Sequence, residues 1–268
     1  MSFALCLNTS TIRPVPLLQK IHLTAKAGYA GIELWINDLY EHVGRGGEVR
    51  DVERALADTG LFVPCLIALR GWGDALEADY PAALDECRRR MELAARLRSP
   101  FIIATPPRLE CDLNHLARCY QDLLAIGRQA GVKPTCEYLS IFRSAWKLEH
   151  AWQIVQASGD PDATLALDAF HSWNSCSNRA LLREIPAGRI SHYHINDAAR
   201  GKPPLTQTDA DRVLPGDGCI DLQAELQILR DKGYTGAISL ELFNEELWAK
   251  NPTEVLKLGL DRMRELLG

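Results

Sequence analysis

Residues 164–171 read TLALDAFH, a short apolar run that ends at a carboxylate, Asp168. Three other segments in the second half of the chain end an apolar run with a residue that binds metals: PTCEYL (134–139) with Glu137, RISHYHIND (189–197) with His194, and AISLELFN (237–244) with Glu241. The carboxyl ends of parallel strands meet on one side of a sheet or barrel. If these runs are parallel strands, the four residues would converge on one divalent cation.

Composition and charge limit the kinds of partner. The chain has 268 residues, 47% of them apolar, and a net charge of −5, with its lysines and arginines dispersed. These features disfavour a nucleic-acid surface and a polybasic membrane patch. No signal-peptide pattern opens the chain, and no run approaches the ~18 apolar residues of a membrane span. We therefore expect a cytoplasmic protein without nucleic acid or membrane as a partner, and a homo-oligomer stays an option.

The cysteines indicate a reducing environment. None of the eight stands in a C-x-x-C arrangement, and several lie in apolar runs. Reduced cysteines of intracellular proteins occupy such positions as small hydrophobic residues. We expect free thiols rather than disulfides or a zinc ribbon.

Short apolar runs alternate along the chain with longer stretches of helical period. The predicted strands are 3–8, 30–36, 62–69, 100–105, 133–139, 163–170, 190–196 and 236–243. The predicted helices are 15–27, 49–58, 80–97, 112–130, 145–158, 178–184, 221–232 and 252–267. Asp112 and Asp221 are predicted N-caps, and Gly131 and Gly233 are predicted helix ends.

This alternation predicts an α/β fold, a (β/α)8 TIM barrel that forms a single domain over residues 1–268. No linker rich in Gly, Ser or Pro divides the chain into halves. A doubly wound sheet stays open as the structural alternative. In a barrel, groups that do chemistry lie at the carboxyl ends of the strands, where all four candidate ligands are predicted.

The candidate ligands would come from strands five to eight, which are contiguous in a barrel wall. Alternation along ISHYHIN puts His192, His194 and Asn196 on one face. Alone, each carboxylate is explained as a solvated group and His194 as a satisfied core histidine, so the prediction depends on the coincidence of four. Three carboxylates and one imidazole favour Mn, Mg or Co, with Zn as a further option.

Other residues are predicted at the same rim. His171 follows Asp168 closely, and Arg212 lies in a long segment after the seventh predicted strand, of a length typical of binding loops. Glu33 and Trp35, at the end of the second predicted strand, are predicted to form part of the opposite wall and to contact substrate. Trp72 is a candidate cover, although packing between helices explains it equally well.

The motifs D-x-F-H at 168–171, Y-H-I-N-D at 193–197, D-R-V-L-P-G-D-G-x-I-D at 211–221 and S-L-E-L-F at 239–243 resemble the xylose-isomerase-like family of sugar isomerases and epimerases. Among its members, the pattern is most similar to the inosose (2-keto-myo-inositol) isomerases. The resemblance implies that Glu137, Asp168, His194 and Glu241 bind the metal and that His171 and Arg212 contact substrate oxygens. Three loops depart from the pattern and leave the substrate open: LRGWGDALE (69–77), TPPRLECD (105–112) and LSIFRSAWK (139–147).

The predicted function is a divalent-metal-dependent isomerase of a keto-polyol of the inosose type. Glu137 and Glu241 are the predicted catalytic residues, moving a proton between adjacent carbons through an enediolate. Return of the proton to the same carbon would make an epimerase, and loss of a β-hydroxyl would make a dehydratase. A non-catalytic sugar-binding subunit also stays open. A zinc endonuclease is disfavoured, since it needs many histidine ligands and the net charge opposes DNA binding.

Overall fold

A closed barrel of eight parallel strands forms the centre of the computed structural model, which describes residues 3–267. The neighbours around the barrel run β1, β10, β7, β6, β5, β4, β3 and β2. Their bounds are β1 Ala4–Asn8, β2 Gly31–Trp35, β3 Cys65–Leu69, β4 Phe101–Ala104, β5 Lys133–Cys136, β6 Thr164–Asp168, β7 Ile190–Ile195 and β10 Ala237–Leu240. The predicted barrel is confirmed. The doubly wound alternative is wrong because β1 pairs with both β2 and β10 and so closes the sheet.

Helices surround the barrel and cover its outer face. They are α1 Leu17–Ala27, α2 Ile36–Gly44, α3 Val49–Thr59, α4 Tyr80–Arg96, α5 Leu113–Ala130, α6 Leu148–Ala157, α7 Ala169–Asn174, α8 Arg179–Glu184, α9 Leu222–Asp231, α10 Glu245–Trp248 and α11 Pro252–Leu267. Asp112 caps α5 by accepting a hydrogen bond from the His115 amide, and Asp221 caps α9 in the same way. Gly131 ends α5 in the left-handed conformation, as predicted.

Two elements near the site were not predicted. Residues 36–44, predicted as the last residue of a strand and the start of a loop, form helix α2, which buries Ile36 and Leu39 against the barrel. The glycine-rich stretch GRGGE (44–48), expected to link a strand to a helix, therefore lies between α2 and α3. His171, expected in a loop, lies in the one-and-a-half-turn helix α7, whose N-cap is Asp168.

The long segment between β7 and α9 is an ordered structure held by one carboxylate. It contains an antiparallel pair of two-residue strands, β8 Asp197–Ala198 and β9 Arg212–Val213. The buried Asp197 side chain accepts hydrogen bonds from the amides of Gly216, Gly218 and Ile220 at 2.8–3.0 Å. These bonds fix the turn beside β9 and thereby the position of Arg212.

Two further predictions concern the chain as a whole. All eight cysteines, each within the described residues, are free thiols, as predicted. Among residues 3–267, no helix has the length and apolar character needed to cross a membrane.

We predict that Gly127→Ala destabilises the protein. A Cβ at this position of α5 would lie 2.4 Å from the carbonyl oxygen of Val132 and 2.7 Å from Cδ of Pro134. Alanine normally stabilises a helix interior by ~1 kcal/mol relative to glycine. Here the clash with the start of β5 should outweigh that gain, so we expect the free energy of unfolding to fall by about 1–3 kcal/mol in urea titrations.

The control for this prediction is Gly188→Ala. A Cβ there would meet no atom within 4 Å, so its free energy of unfolding should stay within about 0.5 kcal/mol of the wild type. A Gly127→Ala variant as stable as the wild type would mean that α5 can move away from β5 without cost.

Candidate metal centre

The four predicted ligands meet at one end of the barrel. Asp168 is the last residue of β6, His194 is near the end of β7, and Glu137 and Glu241 directly follow β5 and β10. These four strands are neighbours in the barrel wall. One ligand atom each of Asp168, His194 and Glu241 lies within 4.8 Å of the other two, and all four side chains are buried. The structure thus brings the whole predicted set together.

The imidazole of His194 is the centre of this cluster. Its Nδ1 lies 3.3 Å from Glu241, 3.7 Å from Asp168 and 3.8 Å from Glu137. This nitrogen is buried and has no hydrogen-bond partner among the described residues. A buried polar atom of this kind is costly unless it has a partner.

The opposite nitrogen of His194 shows how the ring is oriented. Its Nε2 lies 2.9 Å from Oε2 of Glu33. When Nε2–H donates to that carboxylate, Nδ1 presents its lone pair to the space shared by the three acidic side chains. A histidine held by a carboxylate on one nitrogen and free to bind on the other is the usual arrangement of a metal-ligating histidine. The residues present therefore fit a divalent cation with one nitrogen and several oxygen ligands.

The charges of the cluster are strongly coupled. Burial raises the pKa of the Glu241 carboxyl to about 7, against the effect of the neighbouring His194 and Arg212. Burial likewise raises the pKa of Glu137 well above its ordinary value. Burial alone would lower the pKa of His194, but Glu241 and Glu33 raise it to about 10. The carboxyl groups of Glu137 and Glu241 thus lose their protons at a higher pH than free carboxyl groups do.

Glu33 lies below the ligands instead of in the opposite wall. It is fully buried, and its Oε2 accepts hydrogen bonds from Asn8 at 2.8 Å and Ser239 at 3.0 Å. Its Oε1 lies 3.1 Å from Nε2 of His192. The side chain does not line the cavity above the ligands. Substrate contact by Glu33 stays a prediction, while the contacts observed are all with side chains of the barrel interior.

Asn8, at the end of β1, is a site residue that the sequence analysis missed. Its Nδ2 donates to Oε1 of Glu241 at 2.9 Å and to Glu33. Its Oδ1 accepts from the indole of Trp35 at 2.8 Å, which fixes that ring in the wall of the cavity. The available signal was a polar residue that ends the apolar run FALCLN at a strand tip. Asn196, recognised only as sharing a face with His194, similarly donates to Asp168 at 3.2 Å.

Arg212 reaches the cluster, as predicted, and is fully buried there. Its Nη1 donates to Asp168 at 2.8 Å and to Glu241 at 3.1 Å, and its Nη2 donates to Asp209 at 2.8 Å. The guanidinium lies between aromatic rings, 4.8 Å from the centroid of Phe170 and 5.3 Å from that of Phe243. Burial would lower the pKa of Arg212, but Asp168 and Asp209 raise it above its ordinary value, so the side chain is a permanent cation.

His171 lies beside Arg212, and its Nε2 is 2.9 Å from Nη2 of the arginine. Burial lowers the pKa of His171 to about 4, so the ring is neutral near pH 7. A neutral Nε2 can accept the hydrogen bond that Arg212 donates. The other nitrogen lies 3.0 Å from Oγ of Ser140. Arg212 and His171 are therefore held in place by Asp168 on one side and by Ser140, in the loop after β5, on the other.

A cavity of about 140 Å³ opens above the ligands. Glu137, Glu241, His171 and Arg212 line it, together with Trp35 and Phe243, whose rings meet edge to face at 5.9 Å. Pockets that bind drug-sized ligands typically have volumes of about 300–1,000 Å³. This cavity is smaller and therefore suits a small metabolite. Trp72 does not cover it. That ring is fully buried and donates a hydrogen bond to the carbonyl of Thr105.

The remaining polar residues of this cavity include two arginines that the sequence analysis did not single out. Arg70 directly follows β3, and Arg108 lies between β4 and α5. Both belong to loops that depart from the family pattern. Arg200 and Lys202, which lie in the same long segment as Arg212, do not line the cavity, and Lys202 pairs with Asp211.

Comparison with known proteins agrees with this geometry. An inosose isomerase of Halalkalibacterium halodurans is 28% identical, over 98% of this chain and 96% of that protein. A 3-dehydroshikimate dehydratase of Pseudomonas aeruginosa is 27% identical over 94% of this chain, which spans only 39% of that protein. A crystal structure of the IolI protein with a bound zinc atom superposes with a TM-score of 0.93 and 25% identity, covering 99% of this chain and 98% of that one.

The family described as xylose isomerase-like TIM barrel matches residues 21–266, nearly the whole chain. The closed barrel and the similar proteins agree with that match. The chain belongs to the xylose isomerase-like TIM barrel family.

Proposed function

We propose that this protein is a divalent-metal-dependent isomerase of a small keto-polyol of the inosose type. The observation that carries the proposal is the buried Nδ1 of His194, which faces Glu137, Asp168 and Glu241 at 3.3–3.8 Å while Glu33 holds the other nitrogen. The similarity to inosose isomerases over nearly the full length supports the substrate type. The names of these relatives support a small-molecule substrate, and a cytoplasmic location is part of the proposal.

Glu137, Asp168, His194 and Glu241 would hold the cation. An oxygen-rich set favours Mn, Mg or Co, and the zinc atom of the similar IolI structure keeps Zn among the candidates. When bound, a divalent cation polarises a carbonyl group and the adjacent hydroxyl of an α-hydroxyketone, which acidifies the C–H bond between them. The chain itself must then move the proton.

Glu137 and Glu241 are the proposed proton-transfer groups. They come from β5 and β10, on either side of β6 and β7, so they can approach a bound substrate from different sides. One carboxylate takes the proton from the carbon beside the carbonyl, and the C–H electron pair forms the double bond of an enediolate. The proton returns to the former carbonyl carbon, and a second proton moves between the two oxygens. The carbonyl has then moved by one position.

His171 and Arg212 are the proposed substrate contacts, together with Trp35. Arg212 is a permanent cation next to the ligand set, so it can stabilise negative charge that develops on a substrate oxygen. The neutral ring of His171 can exchange hydrogen bonds with a hydroxyl. Trp35 offers an apolar wall, fixed by Asn8, against which the carbon face of a polyol can lie.

Two related reactions begin with the same proton abstraction. Return of the proton to the original carbon gives an epimerase, and expulsion of a β-hydroxyl gives a dehydratase, the reaction named for the Pseudomonas relatives. A binding subunit without catalysis would keep the cavity but would not exchange protons. NMR of the metal-loaded protein with inososes, ketohexoses and hydroxypyruvate in deuterated water separates these cases. No exchange with any of these compounds would refute the proposal.

We predict that Glu137→Gln abolishes exchange of the substrate C–H with deuterated water while most of the metal stays bound. The amide keeps an oxygen that can face the cation but has no basic site for the proton. Exchange is followed by NMR and bound metal by elemental analysis. Glu246→Gln, an exposed residue of α10, is the control and should leave both quantities unchanged. Full exchange by Glu137→Gln would exclude the proton-transfer role.

We predict that Arg212→Ala weakens substrate binding more than metal binding. Loss of a charge-assisted hydrogen bond is worth about 1.5–3 kcal/mol, so KM should rise about tenfold or more. Metal affinity should change less, since the substitution leaves every proposed ligand in place. Arg183→Ala on the exposed face of α8 controls for the loss of charge. Equal losses of metal and substrate affinity would instead make Arg212 a scaffold residue.

We predict that Glu33→Gln lowers the affinity for metal roughly 10- to 100-fold, because the amide holds the His194 ring less firmly and makes it less basic. KM measured at saturating metal should stay near the wild-type value. Competition with a chelating dye measures the metal affinity. The reverse outcome, with unchanged metal affinity and a raised KM, would support the substrate contact predicted from the sequence.

A further inference from the structure

Two arginines at the mouth of the cavity have no charge partner in the part of the chain that the structure describes. Arg70 and Arg108 are exposed residues that line the cavity together with Glu137 and Glu241. Among residues 3–267, neither guanidinium forms an ion pair or a side-chain hydrogen bond. The observed contact is that of Arg108 with the ring of Phe142, at 5.4 Å from its centroid.

Three other cations near this rim have carboxylate partners. Arg212 contacts three carboxylates, Lys20 pairs with Asp38 at 2.7 Å, and Arg90 pairs with Glu86 at 2.7 Å. Lys20 and Arg70 line the same neighbouring cleft, yet only the lysine has a carboxylate partner. Arg13, which also lines that cleft, lies over the ring of Trp248 at 5.6 Å and has no carboxylate partner among residues 3–267. What distinguishes Arg70 and Arg108 is that both unpaired guanidinium groups line the cavity that holds Glu137 and Glu241.

The two guanidiniums also act on each other. Partial burial lowers the pKa of Arg70, and the nearby positive charges of Arg108 and Arg90 lower it further, while Glu137 opposes them. Like charges that line the same cavity disfavour each other. An anion between them removes that repulsion, and the planar guanidinium group matches the oxygen pairs of a carboxylate or phosphate.

We propose that Arg70 and Arg108 bind an anionic oxygen group of the substrate, a carboxylate or phosphate, on the side of the cavity opposite Asp168 and His194. The inference rests on the proposed function, because it takes the reacting carbonyl to lie at the metal ligands. It changes the proposed substrate from a neutral inosose to a keto-polyol that carries an acidic substituent. The arginines confer specificity and take no part in the proton transfer.

The positions of the two arginines in the fold support separate binding places for the anionic group and for the reacting carbonyl. Arg70 and Arg108 follow β3 and β4, whereas the proposed ligands follow β5, β6, β7 and β10. A substrate that spans the cavity would place its two functional ends against different sets of strands. The rings of Trp35 and Phe142 lie on the arginine side and provide apolar surface between the ends.

The test is calorimetric titration of the metal-loaded protein with fructose, 5-ketogluconate and fructose 6-phosphate. One or both anionic ketoses should bind about tenfold or more tightly than fructose, as expected for charge-assisted hydrogen bonds. Preference for the acid identifies a carboxylate site, and preference for the phosphate ester identifies a phosphate site. Arg70→Gln and Arg108→Gln should each remove most of the preference, and Arg118→Gln, an exposed residue of α5 with the same charge change, should retain it.

The proposal is overturned if fructose binds as tightly as both anionic ketoses, if neither anionic ketose binds, or if the Arg70→Gln/Arg108→Gln double variant keeps the preference. Deuterium exchange on the same ligands tests the proposed function separately. An anionic preference without any exchange would refute the isomerase and leave the arginine site in place. Exchange without a preference for the anionic ketoses would support the isomerase and refute the arginine site.

Discussion

The organisation of the barrel end depends on the burial of four carboxylates around one imidazole. Glu33, Glu137, Asp168 and Glu241 all approach His194, and each is almost completely withdrawn from water. Buried charges of one sign are tolerated only when cations and hydrogen-bond donors offset them. Arg212, Asn8 and Asn196 supply part of that compensation here.

The same constraint explains the loop architecture near the ligands. Arg212 must be held in a fixed place to serve two carboxylates, and a mobile loop could not do so. The β8–β9 pair and the turn bound by Asp197 provide that rigidity. The short helix α7 similarly begins at Asp168, so one carboxylate both caps a helix and faces His194. The same residues thus fix the local backbone and determine the electrostatics of the cluster.

Much of this arrangement could be predicted from the sequence, for definite physical reasons. Apolar runs and helical periods are set by burial, so they predict the barrel and most of the element bounds. Asp168, His194 and Glu241 are predicted at strand ends because each of them ends an apolar run. Helix α2 was missed because it follows β2 without a turn signal. The sequence predicts Glu33 at the rim because it shows the strand that contains this residue. It does not show how deep in the barrel Glu33 lies, since that depends on the register of β2 against β1. Asn8, Arg70 and Arg108 carry no pattern of their own, and only three-dimensional proximity shows their partners or the lack of them.

The anchoring of Arg212 by the Asp197 turn has a consequence for substitutions at the rim. It confines the rigid, charge-coupled part of the rim to the segments after β6, β7 and β10, where a substitution disturbs several partners at once. The loops 69–77 and 105–112 are joined by the hydrogen bond from the Trp72 indole to the carbonyl of Thr105, but the guanidinium groups of Arg70 and Arg108 form no side-chain hydrogen bond within residues 3–267. A substitution at either arginine therefore changes this side of the cavity without removing a hydrogen bond from the carboxylates around His194.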